Sequence, residues 1–193
     1  MSETYQKITA GLDEAGRGAW AGPVMAGACI LSEKFPIEIL DDSKKISPLN
    51  REKIFNKITK ICSWSVGQSS AREIERLGLI RATNLAMQRA LDDLTIKPNQ
   101  LLVDGRDKFH FHIPYRSFIK GDERIPAISA ASIIAKVSRD RYMQKLEKKE
   151  RYFFAKHKGY GTALHLRQMK KYGISTWHRK NFAPVERLIF SKK

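Results

Sequence analysis

The chain has 193 residues, of which 42% are hydrophobic and 9% aromatic, enough to bury one sizeable core and a small appended lobe. Thirty-six Lys and Arg stand against 20 Asp and Glu, a formal net charge of +16. Apolar residues spread along the whole length exclude a disordered tail or a fibre, and the charge makes polyanions the leading partners. No long apolar run and no strongly amphipathic basic helix suits a lipid surface, so nucleic acid is the expected polyanion and no membrane association is expected.

Ile8, Ala10 and Leu12 alternate with other residues up to Asp13, and an apolar run resumes from Pro23 to Leu31, which predicts two early strands around a glycine-rich turn from Glu14 to Gly22. Asp41 to Ile46 reads as a polar loop. Ser47 as N-cap and Pro48 at the first helical position then open a helix with an apolar stripe of Phe55, Ile58 and Cys62. Ser63 to Ser69 is a third strand, and Ala71 to Leu94 reads helical with an interruption at Gly78. Leu101 to Val103 and Tyr115 to Ile119 are short strands that end on Asp104-Gly105 and on Lys120-Gly121-Asp122. A long helix runs from Pro126 to about Glu150, rich at first in Ala, Ser and Ile, and Arg139 with Asp140 on it reads as a structural ion pair.

The order predicts an α/β fold with a mixed sheet flanked by helices, residues 1–150 forming the main domain and 151–193 a small C-terminal helical extension, with a helix from Thr162 to Lys171. Cys29 and Cys62 lack metal-ligand spacing and read as buried free thiols. With no apolar core of a signal peptide at the start, a reducing, cytoplasmic location is expected.

Three acidic sites fall at the ends of predicted strands: Asp13-Glu14, Asp104 and Asp122. Each alone is an ordinary turn or cap. If the strand ends lie on one side of a sheet, four carboxylates converge and repel one another and any incoming phosphate. Two divalent cations remove that repulsion, and hard oxygen donors without a His or Cys cluster point to Mg²⁺ or Mn²⁺. Asp13 and Glu14 are adjacent on a strand, so a shared site requires the strand to break there, for which Gly16 and Gly18 are available. Those glycines also bring backbone amides close to a ligand, and Arg17 between them reaches phosphate.

Asp13-Glu-Ala-Gly-Arg-Gly18 closely resembles the signature of the type 2 ribonucleases H. Later blocks resemble the family's in the same order: Asp42 to Lys45, Val103 to Gly105, Lys120 to Asp122, Ser129 to Val137 with Arg139-Asp140, His157 to Thr162, and His178-Arg179 with Phe182. The resemblance implies a ribonuclease H-like fold and an endonuclease that cuts the RNA strand of RNA–DNA hybrids and 5′ of ribonucleotides embedded in duplex DNA. It implies that Asp13, Glu14, Asp104 and Asp122 hold Mn²⁺ or Mg²⁺. Gly16, Arg17 and Gly18 would contact the 2′-hydroxyl and backbone of the ribonucleotide, Tyr160 would stack on the following sugar, and Lys44 would meet a phosphate. Taken alone, Tyr160 reads as a cover of the core and Lys44 as part of a solvated loop.

Arg106 and Asn181 depart from the family's usual Asn and Ser, which affects loop geometry and no proposed metal ligand. With twelve residues before Asp13, the extra N-terminal domain of the type 3 enzymes is not expected. A monomer is expected. Two other readings remain open: a non-catalytic basic module, which binds without cutting, and a DNA junction resolvase, which cuts all-DNA substrates.

Overall fold

A computed structural model describes residues 7–40, 47–147 and 151–190. Strands β1 (Thr9–Ala15), β2 (Val24–Ile30) and β3 (Ser63–Ser69) form an antiparallel meander, and β4 (Gln100–Asp104) and β5 (Tyr115–Phe118) extend it on the other side of β1. The spatial order is β3-β2-β1-β4-β5, with β1, β4 and β5 parallel, which is the mixed sheet the sequence predicts. Parallel neighbours end on the same side, so the acids that close β1 and β4 lie at one rim.

Helix α1 (Pro48–Ile61) starts as expected, with the Ser47 hydroxyl accepting the Asn50 N–H at 3.3 Å and with Phe55 and Ile58 buried. The predicted helical stretch after β3 is two helices, α2 (Ala71–Leu77) and α3 (Leu79–Asp93), divided at Gly78, whose φ of 78° no helix accepts. Ser70 and Glu73 close a capping box on α2.

Helix α4 (Pro126–Glu147) lies across β1 and β2. It approaches closely because Gly11 and Gly27 face it: a β-carbon there would fall 2.1 Å from the Ala127 carbonyl oxygen and 2.3 Å from that of Ala131. The opposite face carries α3, where Leu12, Leu101, Val103, Ala86, Met87 and Leu91 are buried together. Complete burial stabilises each of the larger aliphatic side chains there by roughly 1.5–3 kcal/mol. Cys29 and Cys62 are buried and free, as expected, in the cluster under α1 and α4.

From residue 151 onward come α5 (Phe154–His157), α6 (Ala163–Tyr172) and α7 (Ala183–Phe190). Thr162 caps α6 by accepting the His165 N–H at 3.1 Å. Tyr152, Phe154, Met169 and Val185 share one apolar cluster with Ala21 and Met143, so this segment packs on the loop after β1 and on the end of α4. No helix among the described residues is long and apolar enough to cross a membrane.

Candidate active site

The β1–β4 ladder aligns Leu12 with Val103 and stops there, which sets Asp13 and Asp104 at the first unpaired positions of two neighbouring parallel strands. On its other side β1 stays in register with β2, Asp13 opposite Gly27, Glu14 opposite Ala26 and Ala15 opposite Met25. The expected break between Asp13 and Glu14 is therefore absent; the strand ends at Ala15, before Gly16 with φ 93°. Past Leu12 the strand has no partner on the β4 side, and there Asp13 Oδ1 accepts the Glu14 N–H at 2.6 Å.

Asp13 is 6% exposed. Burial first, then the charges of Glu14 and Asp104, raise its pKa well above the ordinary carboxylate value, against a counter-pull from the Ser132 hydroxyl on α4. Burial also raises Glu14, with Arg17 pulling it back and Asp104 and Asp107 pushing further up. Glu14 Oε1 accepts from Arg17 at 3.2 Å, while Oε2 is buried without a hydrogen-bond partner. Unmet acceptors of this kind are costly unless something cationic or a donor completes them.

Asp122 does not end a strand as expected. β5 stops at Phe118, and Asp122 sits four residues later in a single 3-10 turn, Gly121–Glu123. The turn is tied to the rim because the Gly121 N–H donates to Asp104 Oδ1 at 2.6 Å. Two hollows meet at Glu14. One, of about 330 Å³, is lined by Glu14, Arg51, Asp122, Ser132, Lys136 and Tyr160. The other, of about 400 Å³, is lined by Glu14, Arg17, Asp104, Asp107 and Lys120 among others. Among the described residues no three His, Cys, Asp or Glu side chains are already gathered tightly enough to enclose a metal ion; Glu14, Asp104 and Asp122 line the two hollows and Asp13 lies buried beside them.

Two fully buried arginines hold the glycine-rich turn from behind. Arg179 donates to the carbonyl oxygens of Gly16 (2.7 Å), Arg17 (2.8 Å) and Gly22 (2.9 and 3.0 Å). Burial, and then the charge of Arg139, pulls its pKa down to about 9. Arg139 donates to Pro23 and Ala21 carbonyls at 2.9 and 3.2 Å and leaves Nη1 without a partner. The expected Arg139–Asp140 pair is thus overturned: Asp140 binds Lys136 at 2.8 Å, one helical turn back. Neighbours in sequence diverge around a helix, whereas residues four apart meet.

Tyr160 reaches the first hollow from the lobe, its ring 5.2 Å from the Arg139 guanidinium and 5.9 Å from Lys136 Nζ. It is a wall of the hollow as well as a cover. Its turn is joined to the glycine turn by the Trp20 N–H, which donates to Gly159 O at 2.8 Å. Behind it lie three buried histidines. His165 Nδ1–H donates to Tyr160 O (2.9 Å), so Nε2 accepts from His178 Nε2–H (3.1 Å), whose Nδ1 accepts the Ser175 N–H (2.9 Å). His157 Nε2–H donates to Tyr152 O at 2.8 Å and its ring stacks on His165 at 4.3 Å.

Of the residues singled out in the sequence, Glu14, Asp104, Asp122, Gly16, Arg17 and Tyr160 line the two hollows, Asp13 lines neither and lies buried next to Glu14, and Gly18 follows in the same turn as Gly16 and Arg17. Lys44 lies outside the described residues. Sequence reasoning assigned no site role to Arg139, Arg179, Ser132, Lys136 or Asp107; the first four stand in blocks it quoted, and Asp107 stands in none.

Residues 10–189 match the family model for Ribonuclease HII. The ribonuclease HII of Verminephrobacter eiseniae is 47% identical over 184 residues, 94% of this chain and 88% of that one. The ribonuclease HII of Pelagibacter ubique is 45% identical over 187 residues, 95% of this chain and all of that one. In three dimensions the chain is similar to the ribonuclease H2 of Pyrococcus horikoshii, with a TM-score of 0.79, 28% identity and coverage of 96% of this chain and 99% of the other.

Proposed function

The chain belongs to the ribonuclease HII family and is a hydrolase of the nuclease class, and from that premise we propose that it cuts RNA–DNA hybrids and duplex DNA 5′ of embedded ribonucleotides. The observation that carries this reading is the placement of Asp13 and Asp104 just past the end of the β1–β4 ladder, on neighbouring parallel strands, beside a buried, unpartnered Glu14 Oε2. Asp13, Glu14, Asp104 and Asp122 are the ligands of the divalent cations in this reading. The fit rests on the donor set: every candidate is a carboxylate oxygen, which suits a hard cation such as Mg²⁺ or Mn²⁺, and the orphaned oxygen and the crowded charge of Asp13 are both relieved by one. When bound, such cations supply activation of water and stabilisation of the leaving oxygen.

The chain's own residues do the rest. Gly16, Arg17 and Gly18 present main-chain groups to the ribonucleotide, and a 2′-hydroxyl is the feature by which RNA is told from DNA. Arg179 fixes that turn by occupying three of its carbonyls, which leaves its outward amides for substrate. Tyr160 stacks on the sugar that follows, Lys44 contacts a phosphate, and residues 151–193 form a helical extension that holds the duplex. Hydrolysis breaks the bond between phosphorus and the 3′-oxygen and leaves 3′-hydroxyl and 5′-phosphate ends. The net charge of +16 makes duplex affinity fall steeply with salt.

The deciding assay offers a duplex with one embedded ribonucleotide, an RNA–DNA hybrid and an all-DNA duplex, each with Mg²⁺, Mn²⁺ or chelator. Cleavage of the first two alone, and only with metal, is expected. Equal cutting of the all-DNA duplex would indicate a resolvase, and binding without any cutting a non-catalytic module.

A further inference from the structure

Asp107, three residues beyond Asp104, has no part in the reading above, yet it makes the shorter of the two ion pairs of Arg17. Arg17 Nη1 lies 2.6 Å from Asp107 Oδ2 and 3.2 Å from Glu14 Oε1. The loop that carries Asp107 is pinned on both flanks. The Gly105 N–H donates to Phe118 O at 2.9 Å. The His110 N–H donates to Asn84 Oδ1 at 2.6 Å and Asn84 Nδ2 returns to His110 O at 3.1 Å, while the Tyr115 hydroxyl donates to Phe109 O at 2.9 Å. Phe109 itself is 3% exposed in the main core. Asp107 therefore stands at a fixed point, and the long side chain of Arg17 is what it fixes.

We infer that Asp107 is a positioning residue that holds the Arg17 guanidinium at the mouth of the acidic hollow, ready for the ribonucleotide. This rests on the reading that Arg17 meets the substrate. Glu14 belongs to the carboxylates assigned to the cations, and a carboxylate engaged by a cation has fewer lone pairs left for an arginine. Asp107 lies outside that set and keeps its hold. Without it Arg17 has a single, competed anchor, and an arginine free to sample its rotamers neither keeps planar alignment on a phosphate nor steadies the turn whose main-chain groups meet the 2′-hydroxyl, the feature that separates the two duplexes.

A purely electrostatic role has the opposite sign. An acid near bound phosphates repels them, so if Asp107 contributed only charge, its removal would tighten binding to every duplex alike. Positioning predicts instead that the preference for ribonucleotide-containing duplex is lost.

The test uses the full chain, with Asp107→Asn, Asp107→Glu, Arg17→Ala and the Asp107→Asn/Arg17→Ala pair. Each is titrated in chelator with a labelled duplex containing one ribonucleotide and with its all-DNA counterpart. The ratio of the two affinities is expected to fall about three- to tenfold in Asp107→Asn, the scale of one partly exposed charge-assisted contact. It should recover largely in Asp107→Glu and be no lower in the double variant than in Arg17→Ala alone. With Mg²⁺, KM for the ribonucleotide duplex should rise with kcat nearly unchanged. If Arg17→Ala lowers the ratio and Asp107→Asn does not, or if Asp107→Asn merely tightens both duplexes, positioning by Asp107 is overturned while the role of Arg17 stands. If Arg17→Ala leaves the ratio untouched, the reading of Arg17 falls and the role of Asp107 falls with it.

Discussion

The guanidinium of Arg139 fills the space beneath Gly16: a β-carbon on Gly16 would lie 1.9 Å from Arg139 Nε. The turn assigned to the ribonucleotide and the buried arginine behind it are thus fitted to each other, and a side chain at position 16 meets both a steric block and a backbone with φ 93°.

Gly16→Ala should therefore destabilise the fold by about 2–4 kcal/mol, the combined scale of an overpacked core and a strained left-handed residue. Gly18 has nothing within 4 Å of its would-be β-carbon, and its φ is not positive. Gly18→Ala should stay within about 1 kcal/mol of the parent, with any damage confined to substrate discrimination. Urea unfolding of the two variants compares them directly, and equal midpoints would contradict the packing.

Divalent cation should raise the melting temperature, because it binds the folded rim and not the unfolded chain. At a free concentration one hundred times the dissociation constant the gain is about 2.7 kcal/mol. Asp13→Asn should abolish that gain and reduce cleavage on the order of a thousandfold or more. In chelator the variant should melt no lower than the parent, because one of several crowded, buried charges has gone. A parent protein whose melting ignores Mg²⁺ and Mn²⁺ would remove the carboxylates from the metal-binding role.

Burial pushes His165 down to about 3 and His178 down to about 4 from the usual 6.5. Below pH 6.5 the unfolded chain takes up protons that the folded chain refuses, so stability drops with falling pH until the folded values are passed. The loss is about 2 kcal/mol per histidine by pH 5. His165→Gln should flatten the slope of stability between pH 7 and 5, measured as urea midpoints. An unchanged slope would mean that these rings are protonated in the folded state.

Tyr160→Ala should lower the preference for an RNA-to-DNA junction about tenfold, the scale of one stacking contact, while long hybrids are still cut. It should also cost about 1 kcal/mol of stability as Arg139 loses the ring above it. Tyr160→Phe should keep both properties. If junction and hybrid are affected equally by the alanine variant, the ring is a core cover alone.

The sequence exposed what is local. Strand alternation, the Ser47-Pro48 helix start, the break at Gly78 and the acid closing β4 all depend on neighbours within a few residues, and each appears where it was expected, whereas β1 runs two residues past Asp13 because its pairing with β2 continues there. Asp122 was expected at the end of a strand and lies instead in a 3-10 turn four residues past β5, since nothing in Ile119-Lys120-Gly121 marks where pairing with β4 stops. The pairing of Arg139 with Asp140 failed on helix geometry, which the spacing Lys136 to Asp140 satisfies instead. Arg179 was invisible in its role because its acceptors lie 157 to 163 residues away. Asp107 belongs to no motif, and only a folded loop brings it to Arg17.

The grip of Arg179 on the carbonyls of Gly16, Arg17 and Gly22 joins the glycine-rich turn to a residue 157 to 163 positions further along the chain. A nascent chain on the ribosome possesses all four acids once Asp122 has emerged, but the turn beside them still lacks its clasp. A polypeptide halted before position 179 would therefore hold those carboxylates next to a turn whose carbonyls have no arginine to bind them.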